Sequence, residues 1–443
     1  MKISPARVAA FEILQRIQTE RSFSSVLLPA FEAKLSEVDR GLCHELTLGV
    51  LRRQIYLDRL IDHFASAKKL DAAVRVSLRL GIYQLLFLHK IPAYSAINDS
   101  VNLVHRARKS SAKGMVNAVL RRISEGVPEL EFSDNIERLA VETSHPVWLV
   151  EKWIADFGKA EGEAIASANN QLPRIAFRFT NRQSPPPENL NRSKFVEGCY
   201  FAESIDGKLR TAAERGEIYF QDEASQLVGQ IVAADIGSAF LDVCAAPGGK
   251  TTQVASRAGS EQLIVAGDLH SFRVRTLRET CERYVAGRVQ IARYDAEHAL
   301  PFADLTFDTV LVDAPCSGTG TIRHNPEIRY FLDPGDFDEL SRKQRSILAN
   351  ASKLVRRGGR LIYSTCSLQI EENEDVCTAF LKETGDFAQV TPSVPAEFVT
   401  ERGFARTFPH RDDTDGFFIA EFRRFVSPGS KFRVQAKSAR LSH

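Results

Sequence analysis

Two cysteines carry the most chemistry this sequence offers: Cys316, in Asp313-Ala314-Pro315-Cys316-Ser317-Gly318-Thr319-Gly320, and Cys366, in Tyr363-Ser364-Thr365-Cys366-Ser367. Each directly follows an apolar run that reads as a strand. A thiolate is the effective nucleophile among ordinary side chains. Added across C5–C6 of a pyrimidine, it would turn C5 into an enamine-like carbon able to attack a methyl group. The C5 proton must then leave and the thiol be expelled. One cysteine can attack while a second residue assists release, which gives two thiols in one cleft a purpose that packing or metal binding does not. The residues themselves leave open which of the two attacks. Asp313 is placed to hydrogen-bond the N3/N4 edge of a cytosine and stabilise charge building on the ring. Such a base must be out of any stack, which costs least in a single-stranded or looped substrate.

Free cysteines are usually buried small hydrophobes. That reading suits Cys43, Cys199, Cys281 and Cys377, and mostly Cys244, whereas the loops around Cys316 and Cys366 set those two apart.

A second constellation is Leu241-Asp242-Val243-Cys244-Ala245-Ala246-Pro247-Gly248-Gly249-Lys250-Thr251-Thr252: a strand, a tight turn of small residues and a helix start. Such a turn lets a backbone approach a ligand closely. Gly249-Lys250-Thr251 matches the end of a phosphate-binding loop, but the first glycine that loop requires is Cys244 here. With a side chain there the loop loses the freedom to wrap phosphates. Asp313 would otherwise pass as a Walker-B acid, so an NTPase is the rival enzyme. A nucleoside is favoured by Asp268, ending the second strand, where a carboxylate can accept hydrogen bonds from a ribose diol. Asp295, after the third strand, is similarly placed for an adenine amino group. Each Asp alone reads equally well as a cap or turn residue; three at successive strand ends point to a ligand. Adenosine with a sulfonium side chain fits.

These groups need a parallel sheet to hold them. From Gln221 onward, apolar runs at 240–243, 263–266, 289–292, 309–312 and 360–363 alternate with helical stretches, the βαβ signature. Ligands gather outside the carboxyl ends of such strands, so both sulfurs are expected in one crevice. Residues 416–422 are expected as an antiparallel partner at the sheet edge. The first ~140 residues read as helical, with Val8, Phe11, Leu14 and Ile17 at helical spacing and similar patterns at 46–64 and 78–88. Ser4-Pro5 fits a cap and first-turn proline, and Ser144-His145-Pro146 announces another helix before Trp148, Leu149 and Trp153. Pro173 breaks the pattern. Beyond it Ile175, Phe177 and Phe179 alternate with polar neighbours as in a half-buried strand, Ser184-Pro185-Pro186-Pro187 is a stiff turn, and a small α+β segment runs to about Phe220. The tail after Phe425 is basic and expected to be loose.

With 443 residues the chain suggests two to three domains, and 44% hydrophobic with 26% charged residues is ordinary globular usage. No uncharged apolar run approaches a membrane span, and the start lacks a signal-peptide core, so a cytoplasmic protein is expected. Seven cysteines without Cys-x-x-Cys spacing suggest neither a disulfide framework nor a zinc site. The net charge of +2 is unevenly spread: residues 1–140 hold 21 Lys and Arg against 15 Asp and Glu, leaving the rest at −4. Arg106, Arg108, Lys109, Lys113, Arg121 and Arg122 form a cluster of the kind that meets a phosphate backbone, although a solvated helix face is an equal reading on charge alone.

These motifs together resemble the Nop/Sun family of RNA cytosine-5 methyltransferases, over nearly the whole chain. Gln221-Asp222-Glu223-Ala224-Ser225-Gln226 is similar to the family's leading motif, residues 242–250 to its cofactor loop, 313–320 to its Pro-Cys motif and 364–367 to its Thr-Cys motif. The resemblance implies S-adenosyl-L-methionine as cofactor, Cys366 as the attacking thiol and Cys316 as the residue promoting release, the reverse of the DNA cytosine enzymes. It implies that Cys244, Ala245, Ala246, Pro247, Gly248, Gly249, Lys250, Asp268, Asp295 and Asp313 line the cofactor and target-base site, with Lys250 near the cytosine. His410 and Asp415, in the stretch 409–418, would shape the cleft. Gly114-Met115-Val116-Asn117-Ala118-Val119-Leu120-Arg121-Arg122 makes the front similar to a NusB-type RNA-binding domain.

The implied architecture is an all-α NusB-like domain (1–140), a small α+β RRM-like extension (141–225), an α/β Rossmann-like class I methyltransferase domain (226–425) and a basic tail (426–443). The implied reaction is transfer of a methyl group to C5 of a cytosine in 16S ribosomal RNA through a covalent Cys–C6 adduct. The partner would be small-subunit ribosomal RNA, free or in early assembly, with the enzyme a monomer and no metal or membrane involved. A catalytically silent RNA-binding or antitermination-type protein is the alternative from another class, with a P-loop-like NTPase third; intact Cys316 and Cys366 favour the enzyme.

Overall fold

A computed structural model describes residues 3–65, 70–180 and 190–426. Asn181, the proposed turn at Ser184 to Pro187 and the tail from 427 lie outside them. The chain forms two compact units: residues 1–172 with 321–334, and residues 173–320 with 335–443.

The first unit is helical. Pro5–Glu20 buries Phe11, Leu14 and Ile17, as their spacing predicts, while Val8 is only partly covered. Ser4 stands at its N-cap with Pro5 in the first turn, although the Ser4 hydroxyl makes no capping bond. Ser144 does not open the next helix. It ends Asn135–Thr143 in the left-handed region, its hydroxyl accepts from Tyr56 N at 3.1 Å, and Pro146 takes the N-cap of Val147–Phe157. Of the basic cluster, Arg106 pairs with Glu12 and Lys109 with Asp71, while Arg108, Arg121 and Arg122 are exposed.

Residues 321–334 join this unit although they lie between two strands of the other. Arg329 is buried, and its guanidinium donates to Thr143 O (3.0 Å) and Asn169 O (3.2 Å). Burial brings it down to about 10, so it stays charged at neutral pH. Glu327 accepts from Ser24 N at 2.6 Å, and the Tyr330 hydroxyl donates to Leu51 O at 2.6 Å.

The second unit holds two sheets. The small one comprises β1 (Ile175–Phe179), β2 (Asn191–Arg192), β3 (Cys199–Ala202) and β4 (Ile218–Phe220), all antiparallel, in the order β2-β3-β1-β4. Its two faces are both covered. Phe177 and Tyr200 pack toward Leu209, Ala212 and Ala213 of the helix Gly207–Glu214, and Ala176, Cys199 and Phe201 join the core around Ala224 and Leu227.

The large sheet comprises β5 (Ala239–Asp242), β6 (Leu263–Asp268), β7 (Gln290–Arg293), β8 (Phe307–Asp313), β9 (Val355–Thr365), β10 (Phe387–Val390), β11 (Ala405–Arg406) and β12 (Phe418–Arg424). Its order is β10-β12-β9-β8-β5-β6-β7, with β11 pairing β12. β5 to β9 are parallel. Phe240 and Leu311 pack on one face while Leu241, Val310 and Val312 pack on the other, and burial on both sides is why these strands read as unbroken apolar runs. β12 is antiparallel to β9 as expected, but it is not the edge: β10 lies outside it. The chain steps outward from β5 to β6 and β7, then returns to lay β8 and β9 on the other side. The switch point therefore falls between β5 and β8, where a parallel sheet opens a ligand crevice. Among the described residues no helix is long and apolar enough to cross a membrane.

Candidate active site

Asp313 and Ser364 are register partners on β8 and β9, so the loops that follow them leave the sheet side by side. The Ala314 N to Ser364 O bond of 2.8 Å extends the pairing one residue further. Cys316 and Cys366 follow three and two residues later, with their sulfurs 3.3 Å apart. The two loops are then locked: Gly320 N donates to Cys366 O at 2.9 Å, and Gly416 N to Gly320 O at 2.9 Å. A Cβ on Gly320 would overlap the Gly416 carbonyl, so only glycine allows this approach. The Cys316 thiol is pushed well up, first by its hydrogen bond with Cys366 and then by burial.

On the other side of the switch point, Lys250 reaches back from the helix Gly249–Ala255 to Asp313. Its Nζ lies 2.7 Å from Asp313 Oδ2, while Ser364 Oγ donates to Oδ1 at 2.7 Å. Burial works against the Lys250 charge, but the facing carboxylate outweighs it and the amine is pushed up. The ammonium also sits 5.0 Å from the centroid of the Phe417 ring, a residue sequence reasoning did not single out. An amine committed to Asp313 is not offered to a phosphate, which counts against the P-loop reading.

The turn from Cys244 to Gly248 is pinned by Ala245 N donating to Gly267 O at 2.8 Å, and Gly248 takes a φ of +111°, a conformation other residues rarely adopt. Burial pushes the Cys244 thiol well up, in keeping with a packing role. Asp268 is buried at the end of β6 and is already engaged: Arg273 Nε donates to Oδ1 at 2.9 Å and Ala246 N to Oδ2 at 3.2 Å. Asp295 stands two residues beyond β7, with one oxygen accepting from Glu297 N at 3.0 Å in its own turn. Asp415 is buried, and its carbonyl accepts from Thr407 Oγ1 at 2.7 Å, which holds the segment bearing Phe417, just before β12, in place. Gln221 accepts from Arg178 Nε (3.0 Å) and donates to Gln253 Oε1 (3.2 Å), tying the small sheet to the helix that carries Lys250.

Asp242, at the end of β5, accepts from Thr251 Oγ1 at 2.6 Å through one oxygen; the other oxygen has no partner among the described residues. Burial pushes this carboxyl up to about 7, against the pull of Thr251. In the unfolded chain it ionises near pH 4. The stability held by the protonated form is therefore full below about pH 4 and is lost as the pH rises through about 7. Asp242→Asn lacks this titration. Urea unfolding at about pH 5 and about pH 8 should show the variant gaining on the parent by about 2 kcal/mol at the higher pH. An equal difference at both would mean that the folded protein holds the carboxylate ionised.

Residues 230–423 match the model of the 16S rRNA methyltransferase RsmB/F family, and residues 4–125 match the NusB family. The probable ribosomal RNA small subunit methyltransferase B of Bacillus subtilis (strain 168) is 34% identical over 446 residues, which covers 96% of this chain and all of that protein. The ribosomal RNA small subunit methyltransferase B of Pseudomonas putida KT2440 is 32% identical, covering 95% of this chain and 99% of that one. Among solved structures, the crystal structure of PH0851 superposes with a TM-score of 0.82 at 26% identity, covering 96% of this chain and all of that one. The chain belongs to the RsmB/F family of 16S rRNA methyltransferases and carries a NusB-family domain at its front.

Proposed function

We propose that this protein transfers a methyl group from S-adenosyl-L-methionine to C5 of a cytosine in small-subunit ribosomal RNA, through a covalent adduct between Cys366 and C6. The observation that carries the reading is the pair of sulfurs 3.3 Å apart beyond the carboxyl ends of β8 and β9. Two thiols this close, beside a lysine–carboxylate pair, suit a reaction in which one sulfur adds and the other helps it leave. Cys366 supplies the attacking sulfur. Asp313, fixed by Lys250 and Ser364, is positioned to receive hydrogen bonds from the base edge. Cys316, whose thiol keeps its proton at neutral pH, acts in release of the product.

The cofactor loop fits an adenosine carrying an amino-acid chain. Two buried polar atoms around it, Asp242 Oδ1 and the Tyr294 hydroxyl, have no partner among the described residues. A carboxyl oxygen and a tyrosine hydroxyl can each take a hydrogen bond from the hydroxyl or ammonium groups of such a ligand. Residues 244–250 would line the ligand, Asp268 would take the ribose diol and Asp295 the adenine amino group. When bound, the cofactor supplies an electrophilic methyl group. Because Arg273 already shares Asp268, the diol would join or displace it. Asp268→Ala should weaken binding of the cofactor about tenfold or more, since charge-assisted hydrogen bonds contribute roughly 1.5–3 kcal/mol each. Calorimetric titration giving an unchanged affinity would remove Asp268 from the site.

We assign the RNA grip to residues 1–140, a supporting role to the extension 141–225, and chemistry to 226–425, in a cytoplasmic monomer acting on free or early-assembly RNA. Incubation with radiolabelled cofactor and unmodified 16S RNA, followed by bisulfite sequencing, tests the reaction. Label should appear as 5-methylcytosine at one position; label on another base, or none, would overturn it.

A further inference from the structure

Beneath the two thiols lies a carboxylate that neither the motifs nor the reaction above assigns a task. Glu372 is fully buried in the turn that precedes the helix Glu374–Glu383, six residues after Cys366. Four donors converge on it. Ser317 gives both its backbone N–H (2.8 Å to Oε2) and its hydroxyl (2.5 Å to Oε1), Ser367 gives its hydroxyl (2.6 Å to Oε1), and Gln344 gives Nε2 (2.9 Å to Oε2). Ser317 is the residue after Cys316, and Ser367 is the residue after Cys366. Gln344 Nε2 also reaches Pro315 O at 2.9 Å, so the Cys316 loop is held on both sides of its sulfur.

We propose that Glu372 is the positioning residue of this site: one carboxylate, holding the residue after each cysteine, sets the distance between the two sulfurs. It touches neither sulfur through a hydrogen bond and acts through the serines. Burial pushes its carboxyl up from the ordinary value, and the serine, backbone and amide donors offset only part of that. Four donors need four acceptor lone pairs, which a carboxylate has and an amide lacks. A glutamine would fill the same volume but point its NH₂ at donors. Glu372 joins the loop after β8, the loop after β9 and the helix Asp336–Leu354.

The reading rests on the paired-thiol mechanism proposed above, and the first measurement is chosen to be independent of it. Diamide oxidises two neighbouring thiols to a disulfide and is itself reduced to the hydrazine, with no RNA or cofactor involved. In the full-length protein, the rate of Cys316–Cys366 disulfide closure, read by mass spectrometry after alkylation, should fall about tenfold in Glu372→Gln. Alkylation of Cys366 in a Cys316→Ala background should be unaltered by the same change. Closure at the parental rate would overturn the proposal, whether or not methylation proceeds through a Cys366 adduct.

Two gentler variants keep the test decisive if Glu372→Gln fails to fold. Ser367→Ala should slow methyl transfer in a single turnover about tenfold while leaving adduct release unchanged. Ser317→Ala should leave transfer intact and prolong the adduct about tenfold. Identical effects of the two serines on both steps, or none on either, would show that the carboxylate does not set the two sulfurs separately and would overturn the assignment.

Discussion

Cys366→Ala should abolish both methyl transfer and any covalent RNA adduct, a loss of about 10⁴-fold or more, because without sulfur adding at C6 the C5 carbon never becomes nucleophilic. Cys316→Ala should behave differently. Attack and transfer can proceed, but release is impaired, and enzyme accumulates joined to RNA. The structure gives this asymmetry a physical basis. Cys316 is held protonated by its hydrogen bond with Cys366 and by burial, so it is a poor nucleophile, and its sulfur stands within hydrogen-bond distance of Cys366. Lys250 keeps its charge beside Asp313. The observable is a slow-migrating, nuclease-sensitive band on a denaturing gel, present with Cys316→Ala and absent with Cys366→Ala. The reverse pattern would make Cys316 the attacking thiol. Unimpaired turnover in both variants would reduce the cysteines to packing residues.

The pairing of these thiols is legible in the sequence because it depends on few things: two apolar runs that must be parallel strands, and a short loop after each. Adjacency of β8 and β9 does the rest, through the register of Asp313 with Ser364. Strand ends are less legible. The run at 360–363 becomes the longer β9, Val355–Thr365, since hydrogen bonding to β8 and β12 extends past the apolar segment. β10 escapes notice because a four-residue strand, Phe387–Val390, carries too little pattern to be told from a loop.

Other features are hidden for a chemical reason. Glu372 looks like any acid near a helix start, and only folding brings Ser317, 55 positions away, onto it. Asp268 is recognisable as a strand-end acid, but its sharing with Arg273 depends on how the helix Ser271–Val285 turns over the strand. Residues 321–334 follow directly on the Pro-Cys motif and carry no periodicity, yet they belong to the helical unit through Arg329, Glu327 and Tyr330. Buried charges satisfied by main-chain carbonyls leave no spacing signal. The same contacts accompany a helical unit that runs to Leu172, past the end near 140 expected from helical spacing and the resemblance.

The Lys250–Asp313 pair carries the second large expected effect. Lys250→Met removes a cation that is largely covered, with a side chain 12% exposed, and leaves Asp313 held only by Ser364. Asp313→Asn keeps the shape but discards the charge proposed to meet the base edge. Each should lower kcat by about 10²–10³-fold, the usual loss when one preorganised charge is taken from a site shielded from water, with smaller changes in KM. Cofactor binding should weaken far less than in Asp268→Ala, because Asp268 lies on another strand. The double variant decides whether the two residues work as a unit. If Lys250 acts by fixing and balancing Asp313, removing the second partner costs little more than removing the first, and a double-mutant cycle should give a coupling energy of about 1–3 kcal/mol. Losses that simply add would mean that Lys250 and Asp313 serve separate steps, and that the 2.7 Å contact between them is a resting-state ion pair with no part in turnover.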